Sequence, residues 1–312
     1  MTEHGEFLRS KSESLDLTFP VPWGVIEGKC WGDPSQSPVL MIHGLQDNAG
    51  TFDRLVNLLP DSFYYVCIDL PGHGKSTRFP KGVFLDFMLF LSSVRRVILQ
   101  LEWRQFIIVG HSFGGQLGSY YAAFYPEEVK KLIMLDTLAP FAVPLDRHLQ
   151  HCKDSIEKMI ELEKKLSNSN PPNYTREEAI NRLINSRMSP ISKQGAEILS
   201  LRTLKKNKNN FYYFSTDQRL KYNLQAPITP DIHFNVISNI TSSVLIIITN
   251  SYLKFVESYR KGHLDYETLQ FFNKKNNFQI VSIPGHHDVH NDEPHLVAPH
   301  IEKFIMLPKS VL

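Results

Sequence analysis

Ser112 is the residue whose surroundings point most directly to chemistry. It lies in the pattern Gly110-x-Ser112-x-Gly114, directly after the apolar run 106–109 and before a helical pattern rich in small residues. A sharp strand-to-helix turn of this kind presents a serine hydroxyl above a sheet, and glycines allow the helix and strand to pass close together. The pattern therefore predicts a nucleophilic serine, the chemistry of acyl transfer. The plainer interpretation is an ordinary glycine-rich turn, because GxSxG also recurs by chance.

Two backbone amides are placed to stabilise the oxyanion that such a serine would generate. The N–H of Phe113 opens the predicted helix, where free amides and the helix dipole favour negative charge. The second donor is the N–H of Leu45, because the preceding pair His43-Gly44 lets the chain turn sharply after its strand.

A serine nucleophile needs a base, and the loop "PGHHDVHNDEP" after the last apolar run offers three histidines. His287 suits a base carried at a strand end, with His286 and His290 as rivals. The same three histidines also suggest a metal site, but a single histidine loop without a second cluster of ligands is weak evidence for one. We therefore expect neither a metal nor an organic cofactor.

Asp136 is the predicted third member, which would orient the imidazole. It follows the apolar run 131–135, the next strand after the one that carries Ser112. A buried carboxylate at that strand end can accept the Nδ1–H of the histidine. The alternatives are that Asp136 only caps the following turn, or that Glu257 beyond the run 244–249 is the acid.

Short apolar runs alternate with helix-length segments along the first half of the chain. Most runs are apolar on both faces, which predicts a doubly wound, mostly parallel α/β sheet covered by helices on both sides. The predicted strands are 39–44, 64–70, 106–110, 131–136, 244–249 and 278–285, and the helices between the early ones lie near 49–59, 83–101 and 113–125.

The alternation stops after Asp136, and about a hundred polar residues of helical character follow. A stretch of that length cannot be a bare loop in a compact domain. We therefore predict a core formed by 1–137 and 241–312, with 138–240 inserted as a helical cap over the strand ends. Aromatic and aliphatic residues of the cap are candidates for lining an apolar cleft, although packing within the cap explains most of them as well. They are Phe141, Leu145, Phe211, Tyr212, Tyr213 and Phe214.

Composition limits the partners and the compartment. The 312 residues carry a formal net charge of only +2, so nothing argues for nucleic acid or a membrane surface as partner. Cys30, Cys67 and Cys152 are odd in number and far apart, which fits a reducing compartment. The charged N-terminus lacks an apolar signal segment, so we expect a cytoplasmic protein. The oligomeric state stays open.

Four blocks together, "HGLQDNAGTF", "DLPGHGKS", "GHSFGG" and "PGHHDVHNDEP", resemble the α/β-hydrolase fold. The further segments "FDRLVNLLPDSFYYVCIDLPGHG" and "KLIMLDT" are similar to its serine hydrolase-like, or kraken-like, branch. The resemblance implies Ser112 as nucleophile and Leu45 and Phe113 as oxyanion donors. The family places its histidine seven residues before a proline, which is Pro294 here and implies His287. Only the resemblance suggests a peroxisomal association.

The resemblance implies an acid after the sixth or the seventh strand, and this chain offers Asp136 at the former. The sequence therefore predicts a serine hydrolase, carboxylesterase-like, which cleaves a small or medium hydrophobic acyl ester through an acyl-enzyme on Ser112. The alternative is a catalytically weak protein of the same fold that binds or senses a small molecule. Intact Ser112 and His287 favour the enzyme.

Overall fold

The fold is that of a computed structural model, which describes residues 13–140, 145–168, 171–187, 189–222, 229–258 and 263–307. Ten strands are present in the described residues: β1 Leu15–Val21, β2 Gly24–Trp31, β3 Ser37–Ile42, β4 Phe63–Ile68, β5 Phe106–His111, β6 Val129–Leu135, β7 Leu204–Lys206, β8 Tyr212–Phe214, β9 Ser243–Thr249 and β10 Phe278–Ile283.

The helices alternate with these strands in the core and dominate the insertion. They are α1 Asp53–Val56, α2 Phe87–Leu101, α3 Phe113–Phe124, α4 Leu145–Asn168, α5 Arg176–Asn185, α6 Lys193–Thr203, α7 Pro230–Ile237, α8 Asn250–Ser258, α9 Leu264–Phe272, α10 Val289–Asp292 and α11 Pro294–Met306. Short 3₁₀ helices cover Ala49–Phe52 and Gln218–Tyr222. None of the described helices is both long enough and apolar enough to cross a membrane.

Eight strands form one sheet in the order β1-β2-β4-β3-β5-β6-β9-β10. The β1–β2 hairpin and its pairing with β4 are antiparallel, and every pair from β4 to β10 is parallel. The central strands β4, β5 and β9 are buried almost throughout, because one apolar cluster covers each face of the sheet. This arrangement confirms the predicted doubly wound α/β sheet.

Local sequence explains where several helices begin. Asp86 is the N-cap of α2, and its carboxylate accepts from the Leu89 amide, so the helix starts later than the predicted 83. Thr175 and Glu178 form a capping box at the start of α5. Thr229 caps α7, and Pro230 occupies the first turn, where its missing N–H costs nothing.

The segment 138–240 contains more than helices. The strands β7 and β8 form a small antiparallel hairpin whose side chains are half-buried or exposed, so it lacks the apolar run that marks a buried strand in sequence. The helix α7 packs on α3 beside the sheet, and Ile237 belongs to the apolar cluster of the core. The elements of this segment whose residues border the same cavity as Ser112 are α4 to α6, the hairpin and the second 3₁₀ helix. We use "cap" for this part.

Candidate active site

Ser112 lies at the tip of β5 in a strained turn. Its φ of 49° is in the left-handed region that non-glycine residues rarely occupy, and such strain is concentrated at functional sites. A Cβ at Gly110 would collide with the backbone of Gly114, and one at Gly114 would collide with the carbonyl of Ile42. Glycine is therefore required at both positions, because β5, β3 and α3 approach too closely for any side chain there.

The two predicted oxyanion amides lie on the wall of the same cavity as Ser112. Phe113 is the first residue of α3, so its N–H has no preceding helical carbonyl to bond. The amide of Leu45 has no acceptor among the residues that the structure describes. The next residue, Gln46, has a positive φ of 62°, and its N–H donates to Nε2 of His73 over 2.9 Å. This bond fixes the turn that carries Leu45.

His287 and Asp136 lie together. Nδ1 of His287 is 2.8 Å from Oδ2 of Asp136, and the other carboxylate oxygen accepts from the Thr249 amide over 2.7 Å. Asp136 is buried at the end of β6 with a φ of 51°. A proton on Nδ1 donated to Asp136 leaves the lone pair of the imidazole on Nε2, the atom that a general base needs.

The other candidates for base and acid do not share the contact between His287 and Asp136. Nε2 of His286 lies 3.2 Å from Asp292, and Nε2 of His290 lies 2.8 Å from the Thr51 hydroxyl. Glu257 is exposed on α8 and makes no hydrogen bond to His287 in the described structure. Of the candidates that the sequence offered, the structure therefore brings Asp136 and His287 together and leaves the others apart.

The Ser112 hydroxyl makes no hydrogen bond to the His287 ring among the described residues, although both side chains line one cavity of about 990 Å³. The backbones around them are tied more directly. The Ser112 N–H donates to the Leu135 carbonyl over 2.9 Å, so the serine turn and the aspartate loop share a bond. Bonds between nucleophile and base are often long in unliganded enzymes and shorten when substrate binds.

His111, which sequence reasoning did not select, joins the serine turn to the histidine loop. Its Nε2 donates to the His287 carbonyl over 2.9 Å. Burial and the neighbouring His287 lower the pKa of His111 to about 4, so the ring is neutral at physiological pH and can keep this bond. Its position between Gly110 and Ser112 was visible in the sequence, but its partner 176 residues later was not.

Two further buried groups hold the loops at this sheet edge. Asp69 accepts from the amides of Ala49 and Lys75 over 2.7 and 2.8 Å, so it fixes the loop that follows β4. His43 accepts from the Leu70 amide through Nε2, and burial lowers its pKa. These bonds support the backbone turn from which the Leu45 amide projects.

The cavity is less apolar than the sequence suggested. Of residues 211–214, only Phe214 contributes to its wall, and Phe141, another candidate, lies outside the described residues. The cap adds charged side chains instead, and the carboxylates are divided between cap and core. The charged residues of the wall are Lys158, Arg182, Arg187, Lys221, Asp47, Asp154 and Asp288.

Comparison with known proteins agrees with this architecture. Residues 37–151 match a family model described as alpha/beta hydrolase fold. The chain is 35% identical to human "Serine hydrolase-like protein 2" over 315 residues, which covers 95% of this chain and 96% of that protein. It is 32% identical to a "Probable serine hydrolase" of Drosophila melanogaster, covering 93% and 87% of the two chains.

Solved structures share the fold at lower identity. A hypothetical protein from Pseudomonas aeruginosa superimposes with a TM-score of 0.82 at 24% identity, covering 94% of this chain and 99% of that one. A thioesterase domain from the curacin biosynthetic pathway gives a TM-score of 0.75 at 21% identity, covering 93% and 99%. With near full-length relatives above 30% identity, the chain belongs to the serine hydrolase-like family of the α/β-hydrolase fold.

Proposed function

We propose that this protein is a serine hydrolase that cleaves acyl esters through a covalent acyl-enzyme on Ser112. The observation that carries the proposal is the shared cavity of Ser112 and His287, with Asp136 lying 2.8 Å from Nδ1 of the histidine. A nucleophile, a base and an orienting acid on three loops at one sheet edge are the minimum that acyl transfer requires.

The proposed reaction has two halves. The Ser112 oxygen attacks the ester carbonyl while Nε2 of His287 takes the hydroxyl proton, and the amides of Leu45 and Phe113 hold the developing oxyanion. His287 then returns the proton to the leaving alcohol as the carbon–oxygen bond breaks. A water molecule, deprotonated by His287, releases the acid from Ser112 by the same steps in reverse.

Asp136 keeps its acceptor role throughout. Its carboxylate stabilises the imidazolium that forms each time His287 takes a proton, and the Thr249 amide prevents the carboxylate from rotating away. The proposed reaction requires the Ser112 hydroxyl to come within hydrogen-bond distance of Nε2 of His287, and both residues already border the same cavity.

The lining of the cavity supports a small or medium acyl group attached to a polar remainder. Apolar side chains from core and cap can enclose the acyl chain; they are Leu45, Phe113, Leu183, Leu199, Phe214 and Leu220. Three cations of the wall, Lys158, Arg182 and Lys221, are exposed to solvent and suit the polar part of the molecule. A volume of about 990 Å³ leaves space for both parts.

The test is hydrolysis of a p-nitrophenyl ester series of increasing acyl length, combined with labelling by a fluorophosphonate probe. We expect a burst followed by turnover, and covalent labelling of the protein. A protein that neither labels nor turns over any ester of the series would instead be a small-molecule binding or sensing member of the fold.

A further inference from the structure

Arg187 is a cap residue whose guanidinium lies between two loops of the candidate active site. Its Nη2 is 2.5 Å from Oδ1 of Asp288, and its Nε is 3.1 Å from Oδ2 of the same carboxylate. The same Nη2 is 3.1 Å from Oδ2 of Asp47. One side chain from the segment between α5 and α6 therefore holds two carboxylates of the core.

Each of these carboxylates is close in sequence to a group of the proposed reaction. Asp288 directly follows His287, and Asp47 lies two residues after Leu45, whose amide is a proposed oxyanion donor. The loop of Asp47 is tied to the cap a second time, because the side-chain amide of Asn48 donates to the Leu199 carbonyl of α6 over 3.0 Å. The geometry of both loops thus depends on where the cap sits.

The three charges are buried together. The Asp47 and Asp288 side chains are almost inaccessible to solvent, and 16% of the Arg187 side chain is exposed. Burial alone would raise the pKa of Asp288, but Arg187, together with the rings of His111 and His287, more than offsets this, and the pKa lies below its usual value. Loss of the guanidinium would leave two buried carboxylates unpaired, so the loops would have to move apart or take up water or protons.

We propose that Arg187 is a positioning residue, which sets the His287 ring relative to the Leu45 amide and makes turnover depend on a docked cap. The inference rests on the proposed function, because it concerns the same reaction. Arg187 suits this role better than lysine would, since its planar fork can pair with two carboxylates at fixed angles. A displacement of reacting groups by about 1 Å can cost about a hundredfold in rate.

The test compares Arg187→Met and Arg187→Lys with Arg219→Met. Arg219 is a matched control, since it is also buried in the cap, pairs with Asp217, and bonds the core carbonyls of Phe79 and Pro80 without touching either loop. The measurements are kcat and KM for a short p-nitrophenyl ester and the midpoint of thermal unfolding, with kinetics recorded well below that midpoint.

We expect Arg187→Met to lower kcat about a hundredfold while KM changes less than about threefold. Arg187→Lys should restore part of the loss and remain folded, which keeps the test usable if the methionine variant does not fold. Arg219→Met should lower the unfolding midpoint yet keep kcat within about threefold of the parent, since it leaves the reacting groups in place.

Two results would overturn the inference. One is a folded Arg187→Lys or Arg187→Met protein with unchanged kcat. The other is an equal loss of kcat in Arg219→Met, which would reduce Arg187 to a general support of the cap. Failure of the proposed function itself is distinguishable, because the parent protein would then show no turnover or labelling.

Discussion

The strand ends and the cap border the same cavity, but the two regions hold their side chains in position by different means. At the strand ends, backbone geometry fixes the groups: Ser112 and Asp136 both have positive φ angles, and the Ser112 amide bonds the carbonyl next to Asp136. The cap is joined to the core in part by long side chains, and among the described residues Arg187 and Arg202 pair with core carboxylates.

This difference assigns different tasks to the two regions. Reacting atoms need positions accurate to a fraction of an ångström, which a backbone packed between sheet and helix provides. A cap attached by ion pairs can vary outside those contacts without disturbing the backbone at Ser112 and Asp136. Substitutions at the strand ends should therefore remove the chemistry, and substitutions in the cap should change its rate or the stability of the protein.

The largest effect is expected for Ser112→Ala. Without the nucleophile, turnover of p-nitrophenyl esters should fall by about 10⁴ to 10⁶, and fluorophosphonate labelling should disappear. Ser119→Ala is the matched control, because Ser119 is a buried serine on α3 whose hydroxyl only bonds the Gln116 carbonyl. Labelling that survives in Ser112→Ala but not in Ser119→Ala would refute the assignment.

Asp136→Asn should have the next largest effect. The asparagine amide would leave His287 in the wrong tautomer, so kcat should drop by about 10⁴ or less while Ser112 is still present. The control is Glu257→Gln on α8, which should retain full activity. If Glu257→Gln loses activity and Asp136→Asn keeps it, the acid is Glu257 on α8, after β9. The serine and its acid would then not be carried by adjacent strands.

Arg202→Met tests whether a second cap arginine supports stability rather than turnover. Its Nε lies 2.9 Å from Asp69 and its Nη1 lies 2.9 Å from Asp16, so the substitution leaves the buried Asp69 with one partner fewer. We expect the free energy of unfolding in urea to fall by about 3 to 5 kcal/mol. The activity per folded molecule should change far less than in Arg187→Met, and a comparable loss would erase the distinction between the two arginines.

The smallest expected effect is a pH dependence at the junction of the histidine loop and the cap. The bond to Asp292 raises the pKa of His286 in the folded state, and Asp292 in turn accepts from Ser192, the N-cap of α6. The stabilisation is complete below the unfolded pKa of about 6.5 and is lost as pH rises through the higher folded value.

Because His286 is partly exposed, the loss should be less than about 1 kcal/mol. Urea unfolding at about pH 5.5 and about pH 8.5 measures it, and His286→Gln should remove that part of the difference. An unchanged pH dependence in the variant would mean that this pair does not contribute to the attachment of the cap.

The strand-end groups of the candidate site could be proposed from the sequence, because the patterns that mark them are local. The turn at Ser112 needs glycines within two residues. Asp136 directly follows β6, and His287 lies four residues after the end of β10. Parallel strands direct their carboxyl ends to one edge, so side chains at those ends were expected to lie near one another. Which of several histidines faced the aspartate was decided by the resemblance, and the structure brings His287 to Asp136.

The cap contribution could not be predicted, because it depends on pairs distant in sequence. Arg187 lies 140 residues from Asp47 and 101 from Asp288, within a polar helical region where one arginine resembles any other. The aromatic cluster at 211–214 attracted attention by composition, yet much of it forms the small β7–β8 hairpin. An apolar side chain of a cap helix can pack within the cap or border the cavity, and the sequence does not say which of the two it does.

The place of Asp136 on β6 has a consequence for how the family can diversify. The proposed nucleophile and the proposed acid belong to a single strand–helix–strand unit, β5-α3-β6. The chain passes from β9 into α8 at Asn250 without an intervening loop. In the proposed site, the connection after β9 therefore carries no reacting group. It is free to lengthen, shorten or acquire a new binding surface in related chains while the machinery on the neighbouring strands is inherited intact.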